Sequence, residues 1–182
     1  FTESEEGIFG GVALGRELKL KIEGEMLYIN CEQDFADKYV ASYLGFDEDY
    51  DAINSILAAD KTLKSAIEYA GGIRILRQEP WETLCSFIIS QNNNIKRIAG
   101  IIDRLCENFG EDIGSGAFSF PSAERLSSLT VEDLAPLRSG FRAKYIIDAA
   151  KKVYSGEVNF EEIEKADLDS ARDILMRING VG

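Results

Sequence analysis

From Gly10 to Cys31 apolar and polar residues alternate. Leu18, Leu20 and Ile22 interleave with Lys19 and Lys21, Glu23-Gly24-Glu25 interrupts, and Met26-Leu27-Tyr28-Ile29-Asn30 resumes. A period of two sends successive side chains to opposite faces of a strand, so this stretch predicts a β-hairpin or small meander. A hairpin alone is marginal in water, so the sheet needs further strands or packed helices. After Asp34 the period lengthens towards 3.6. Phe35, Tyr39, Val40 and Tyr43-Leu44 share a stripe, followed by Ile53, Ile56-Leu57, then Leu63, Ile67 and Tyr69-Ala70, which predicts three short helices. Gly71-Gly72 breaks the pattern, and Gln78-Glu79-Pro80-Trp81 reads as the opening of another helix with Pro80 in its first turn.

Beyond Pro80 no strand pattern persists. Thr83 to Ser90 is an almost wholly apolar helix, and Ile95 to Phe109 an amphipathic one with Ile95, Ile98, Ala99, Ile102, Leu105 and Phe109 on its inner stripe. Arg97 and Arg104, seven apart, then share the outer face. Pro121 to Leu137 reads as two short helices capped by Ser122 and Thr130, and Phe141 to Tyr154 and Asp169 to Ile178 complete the set. The fold class is α+β: a small N-terminal antiparallel β module with helices over residues 1–76, then an all-α domain over 77–182.

Composition narrows the chemistry. With 182 residues, 45% of them hydrophobic, the chain can bury one sizeable core or two modest ones. No apolar run is long enough to cross a bilayer, and the opening FTESEEG is polar and acidic, so neither a membrane anchor nor a secretion signal is expected and an intracellular setting is. Cys31, Cys85 and Cys106 are widely spaced, odd in number and without a C-x-x-C pair, which points away from disulfide frameworks and zinc sites. The absence of histidine removes Ser-His and Cys-His nucleophile pairs and histidine metal ligands.

The formal charge of −12 argues against a phosphate partner until its distribution is considered. Residues 1–71 hold 15 acids against six bases, whereas 72–104 hold five bases against three acids and 138–152 five bases against one acid. The candidate chemistry sits in and after these basic islands. Ser90-Gln91-Asn92-Asn93-Asn94-Ile95-Lys96-Arg97 sets three asparagines between two helices, either as a ledge of groups that read bases and phosphates or simply as turn and cap residues. Ser139-Gly140-Phe141-Arg142-Ala143-Lys144-Tyr145 sets an aromatic beside two bases at a helix start. Phe141 is then either a wedge for a base stack or a core residue. Met176-Arg177-Ile178-Asn179-Gly180-Val181-Gly182 runs a helix into a glycine turn, which is either a phosphate cradle or an ordinary helix end.

Taken in order and at their spacing, these segments resemble the 8-oxoguanine DNA glycosylase family of the helix-hairpin-helix glycosylase superfamily. The likeness runs from Ile73-Arg74-Ile75-Leu76-Arg77-Gln78-Glu79-Pro80 through Ser86 to Ile95, Arg97-Ile98, Leu105-Cys106 and Phe109-Gly110, returning at Gly140 to Tyr145 and at Gly180-Val181-Gly182. It implies a base-excision repair enzyme, a bifunctional glycosylase and lyase, that flips 8-oxoguanine out of double-stranded DNA. Asn92 would fill the vacated space, Arg97 and Arg142 would donate to the orphaned cytosine, and Phe141 would wedge beside it. Gly180, Val181 and Gly182, with Lys144, would hold the DNA backbone. The family needs no cofactor, apart from a structural metal ion that can join at the hairpin on DNA, and a monomer is expected. Its nucleophilic lysine follows the hairpin's last glycine by two positions, with an aspartate further on. No catalytic residue is therefore expected among these 182 residues, and the resemblance implies that the helical domain continues past them. The rival readings are a related glycosylase for another damaged purine, and a non-catalytic DNA-binding module.

Overall fold

A computed structural model describes residues 1–114 and 116–182. It divides into two compact units, Phe1–Leu14 with Leu18–Gln78, and Glu79–Gly182 with Gly15–Glu17.

β1 (Thr2–Glu3), β2 (Ile8–Ala13), β3 (Arg16–Glu23) and β4 (Met26–Ile29) form one antiparallel sheet in sequence order. The expected meander is present, with Leu20 opposite Ile29 and Lys21 opposite Tyr28. β1 was not expected: it pairs through its main chain, Thr2 with Gly10 and Glu3 with Phe9, so its polar side chains carry no alternation. Of the alternating leucines and isoleucines, Leu18 is fully buried while Ile22 is 65% exposed, so inward pattern and burial part company towards the strand end. Leu18 packs with Ala13, Val40 and Tyr43. The last two come from one helical run made of α1 (Gln33–Phe35), a π-helical stretch (Ala36–Val40) and α2 (Ala41–Tyr43). α3 (Tyr50–Leu57) and α4 (Lys61–Ala70) follow, capped by Asp49 and Asp60, whose carboxylates accept from Ala52 N and from Thr62 N and Leu63 N.

The segment 71–79 has no regular structure, yet two arginines fasten it. Arg74 donates to the Gly45 carbonyl at 2.9 Å and lies over the Tyr50 ring. Arg77 pairs with Asp47 at 2.9 Å and with Glu48. Two of the bases in the 72–104 island are thus occupied inside the first unit.

The second unit is built around α5 (Pro80–Ser90), α6 (Ile95–Phe109) and α8 (Arg142–Tyr154). α5 starts on Glu79, whose carboxylate accepts from Glu82 N, and buries Trp81, Leu84, Cys85, Ile88 and Ile89. The Trp81 indole N–H donates to the Pro121 carbonyl at 2.9 Å, satisfying its one polar atom. α6 has the expected bounds, and Ile98, Ile102, Leu105 and Phe109 of the expected inner stripe do pack on the core. Ile95 is 87% exposed, and Ile101 and Leu105 are the buried residues, with Ile98, Ile102 and Phe109 half-buried. The stripe departs from expectation only in Ile95 and Ala99, which are exposed, and in Ile101, which is buried, a choice that belongs to the packing partners.

Four further expectations are corrected. Thr130 caps no α-helix: it exchanges hydrogen bonds with Asp133, but turns and a 3-10 segment, Ala135–Leu137, follow. Pro136 lacks the N–H that a longer helix would need there. The domain is not wholly helical, because β5 (Asp112–Gly114) and β6 (Ala117–Phe118) pair as a hairpin too short to show alternation. A helix missed by periodicity, α9 (Phe160–Lys165), starts at Asn159. The last helix, α10 (Leu168–Leu175), is capped by Asp167 and ends before Ile178, after α7 (Ala123–Ser127), which does start on Ser122 as expected.

The thiols should differ in reactivity. Cys85 is fully buried, and burial first, then Glu79 and Glu82, push its pKa up. Cys106 is only partly buried, but burial and then the carboxylates of Glu82, Asp103 and Glu107 raise it to about 12. At pH 8 only about one Cys106 in ten thousand is then a thiolate, the form that reacts. Mild iodoacetamide treatment at pH 8 should label Cys31 and leave Cys85 and Cys106 untouched until the chain is denatured, as peptide mass mapping would show. Labelling of Cys106 at a rate matching Cys31 would contradict this electrostatic reading.

Candidate nucleic-acid interface

Three motifs far apart in sequence meet in the second unit. The first is the loop from α5 to α6. Asn94 caps α6, its side chain accepting from Arg97 N at 3.0 Å, and Asn93 donates to the Ile89 carbonyl at 2.9 Å. Turn and cap duties therefore account for two of the three asparagines. Asn92 is exposed, adopts φ +46°, and its side chain has no hydrogen bond among the described residues. Asparagine tolerates this left-handed conformation better than most residues. A side chain held out from a fixed loop, with two donors and an acceptor unspent, suits contact with a base or phosphate.

The second motif opens α8. Gly140 turns the chain at φ +63°, and Phe141 lies 51% exposed, which removes the core reading of this residue. Its ring meets Tyr145 edge-on at 6.0 Å, and the Arg142 guanidinium lies 4.5 Å from its centre. Arg142 itself is only 2% exposed. Its Nε donates to the Gln91 carbonyl at 3.0 Å, its Nη2 to Gln91 and to Asn92 at 2.9 Å, and its Nη1 to Ser139 at 3.2 Å. Four of the five guanidinium donors are thus committed to main-chain oxygens, leaving one Nη1–H. Burial, then the neighbouring Arg97 cation, lower its pKa, which in an arginine still leaves the group charged.

Arg97 is exposed and reaches the Arg138 carbonyl at 3.4 Å. Arg104 differs from expectation. It is not an outer-face partner of Arg97 but a half-buried clamp, donating to the Leu137 carbonyl through Nε at 3.1 Å and Nη2 at 2.9 Å. Gly100, one turn earlier, makes room for it, since a β-carbon there would sit 3.2 Å from Arg104 Nη1. The consecutive carbonyls of Leu137, Arg138 and Ser139 each accept from a different arginine, and this fixes the backbone that leads into Phe141.

The third motif is the turn after α10. Ile178 is buried and Val181 packs against the core, which anchors the turn from below. Asn179 N donates to Asp148 at 2.8 Å, and Asp148 also pairs with Lys152 at 3.0 Å. Val181 N donates to the Ile178 carbonyl at 3.1 Å. The N–H groups of Gly180 and Gly182 have no partner among the described residues, so they, rather than Val181, are the amides open to an anion. Gly180 takes φ +87°, and its missing side chain matters, because a β-carbon would lie 2.8 Å from the Tyr145 ring. Between this turn and α8 runs a groove of about 560 Å³ lined by Lys144, Tyr145, Asp148, Lys151 and Gly180. Lys144 is exposed at its rim, 4.9 Å from the Tyr145 ring centre.

Gln91 closes the arrangement: its side-chain amide donates to the Gly180 carbonyl while its own carbonyl accepts from Arg142. Sequence reading missed Asp148 as part of this surface, and it gave Gln91 and Tyr145, though inside the quoted motifs, no role of their own. Asp148 had a signal, as the one acid among the five bases of 138–152. Among the described residues there is no cluster of three or more Cys, Asp or Glu side chains fit to hold a metal, and no helix long and apolar enough to cross a membrane.

Residues 85–178 match the family described as HhH-GPD superfamily base excision DNA repair protein, and residues 1–84 match the 8-oxoguanine DNA glycosylase N-terminal domain. A Saccharomyces cerevisiae N-glycosylase/DNA lyase is 45% identical over 126 residues, spanning 61% of this chain and 34% of that protein. A Bacillus subtilis DNA-3-methyladenine glycosylase is 29% identical over 150 residues, spanning 80% of this chain and 50% of that protein. The crystal structure of the Clostridium acetobutylicum 8-oxoguanine glycosylase/lyase in its apo-form superposes with a TM-score of 0.94 at 33% identity, covering all of this chain and 65% of that one. This chain thus spans from about a third to two thirds of these relatives. Its two halves, each matched in sequence and together in fold, place it in the 8-oxoguanine DNA glycosylase branch of the HhH-GPD superfamily of base excision DNA repair proteins.

Proposed function

We propose that this chain is the DNA-holding part of a base-excision repair enzyme that removes 8-oxoguanine from duplex DNA with combined glycosylase and lyase chemistry. Residues 1–76 serve as its N-terminal module and 77–182 as the domain that grips the duplex, acting as an intracellular monomer. One observation carries this reading: Arg142 binds the carbonyls of Gln91 and Asn92 while Gln91 reaches Gly180, so ledge, wedge and glycine turn form one surface. On it the unspent amide of Asn92 enters the space left by the flipped nucleotide, and Phe141 wedges into the stack beside it. Arg97 and the remaining Nη1–H of Arg142 donate to the orphaned cytosine. The free N–H groups of Gly180 and Gly182, with Lys144 on the groove rim, take a phosphate.

Equilibrium binding at fixed salt tests the reading, using duplexes that carry 8-oxoguanine opposite cytosine, a stable abasic analogue opposite cytosine, an alkylated purine, or no damage. The expected order places the first two at least about tenfold tighter than undamaged duplex, or about 1.4 kcal/mol. Equal, strongly salt-dependent binding to all four would instead indicate a non-catalytic DNA module. Preference for the alkylated purine would favour the activity named for the Bacillus relative. The expected nucleophilic lysine falls two positions past Gly182, so the 182-residue polypeptide should bind without being trapped on lesion DNA by borohydride. Trapping would move the nucleophile to a lysine within residues 1–182.

A further inference from the structure

Gln91 lies outside the roles assigned above. It is the residue that leaves α5, with φ −56° and ψ 122°, and it directly precedes Asn92 with its positive φ. Its side-chain Nε2–H donates to the carbonyl of Gly180, 89 residues later, and its own carbonyl accepts from Arg142 Nε at 3.0 Å and from Nη2. The backbone of Gln91 is therefore fixed from α8, and its side chain is fixed to the glycine turn.

We propose that Gln91 is a positioning residue that couples the glycine turn to the Asn92 ledge, so that the phosphate-binding amides and the group that enters the duplex keep one fixed separation. This rests on the DNA-repair reading of the surface. The peptide between Gly180 and Val181 is held at both ends, its carbonyl by Gln91 and its N–H by Ile178. A peptide plane pinned in this way cannot rotate, and the flanking N–H groups of Gly180 and Gly182 stay unpartnered and available to an anion. A neutral amide donor is the chemistry this position requires. It gives the carbonyl a hydrogen bond without placing a carboxylate beside an incoming phosphate.

The test is Gln91→Met, which keeps the length and apolar stem of the side chain but has no donor, compared with wild type on two readouts. The first is the preference for an abasic-analogue duplex over undamaged duplex, measured in wild-type and Asn92→Ala backgrounds. Gln91→Met is expected to cost about tenfold in preference, about 1.4 kcal/mol, in the first background and almost nothing in the second, because it acts through the placement of Asn92. The second is amide hydrogen exchange of the free protein, where Val181 should exchange about tenfold faster once its peptide is released. An unchanged Val181 exchange rate, or an equal loss of preference in both backgrounds, overturns the proposal. A wild-type chain with no preference for the abasic duplex would overturn the functional reading instead, and the exchange of Val181 would still decide whether Gln91 pins the turn. Melting of both variants within about 2 °C of wild type separates loss of placement from loss of fold.

Discussion

Arg142→Ala is expected to destabilise the second unit by about 3–5 kcal/mol and to abolish preference for lesion duplex. The guanidinium is buried, and its four hydrogen bonds to the carbonyls of Gln91, Asn92 and Ser139 are charge-assisted. Removing it leaves those oxygens facing a cavity, and each buried acceptor left unpaired costs about 1–3 kcal/mol unless water reaches it. At roughly 2–4 °C per kcal/mol for a chain of this size, thermal melting should fall by about 10 °C. Arg142→Lys should recover little of this, since an ammonium is a single point and cannot span three carbonyls. A fall below about 2 °C for the alanine variant would show that water replaces the arginine and that the loop holds its shape without it.

Gly180→Ala should cost at least about thirtyfold in affinity for abasic-analogue duplex, about 2 kcal/mol. Two separate penalties meet there. The backbone at φ +87° is strained for any residue with a β-carbon, by about 1–2 kcal/mol, and that carbon would lie 2.8 Å from the Tyr145 ring. Either the turn lifts away from α8 or Tyr145 moves, and Tyr145 also braces Phe141. A double-mutant cycle separates the two: in a Tyr145→Ala background the steric part vanishes, and Gly180→Ala should cost only the backbone part. Equal costs in both backgrounds would mean that the ring yields freely and that backbone strain alone is at work.

How much of this was legible in the chain differs from residue to residue. The α6 bounds were readable because Asn94 caps its start and Gly110 follows its end, both local signals. Along the inner stripe of the same helix Ile98, Ile102, Leu105 and Phe109 were read correctly, whereas Ile95 and Ala99 are exposed, Ile101 is buried and Arg104 is half-buried, because only the neighbouring elements decide where the buried face begins and how wide it is. Thr130 was read as a helix cap from an equally good local signal, but Pro136 stops the helix that the cap would start. β5 and β6 were invisible, being too short to carry a period.

The candidate site divides along the same line. Its residue types and their order, an asparagine run, an arginine beside an aromatic, and a glycine turn, were present in the sequence and sufficed for the family resemblance. Which asparagine is free and which two are structural was decided by hydrogen bonds to Arg97 N and the Ile89 carbonyl. That Arg142 is buried scaffolding as well as a candidate base contact, and that Gln91 spans from ledge to turn, emerged only in three dimensions. Local signals such as caps, periods and glycines act within about a turn of helix and leave their mark on neighbouring residues. A guanidinium that binds carbonyls 50 residues away, or a glutamine that binds one 89 residues away, leaves no such mark, because the partner atoms belong to the main chain and are the same for every residue type.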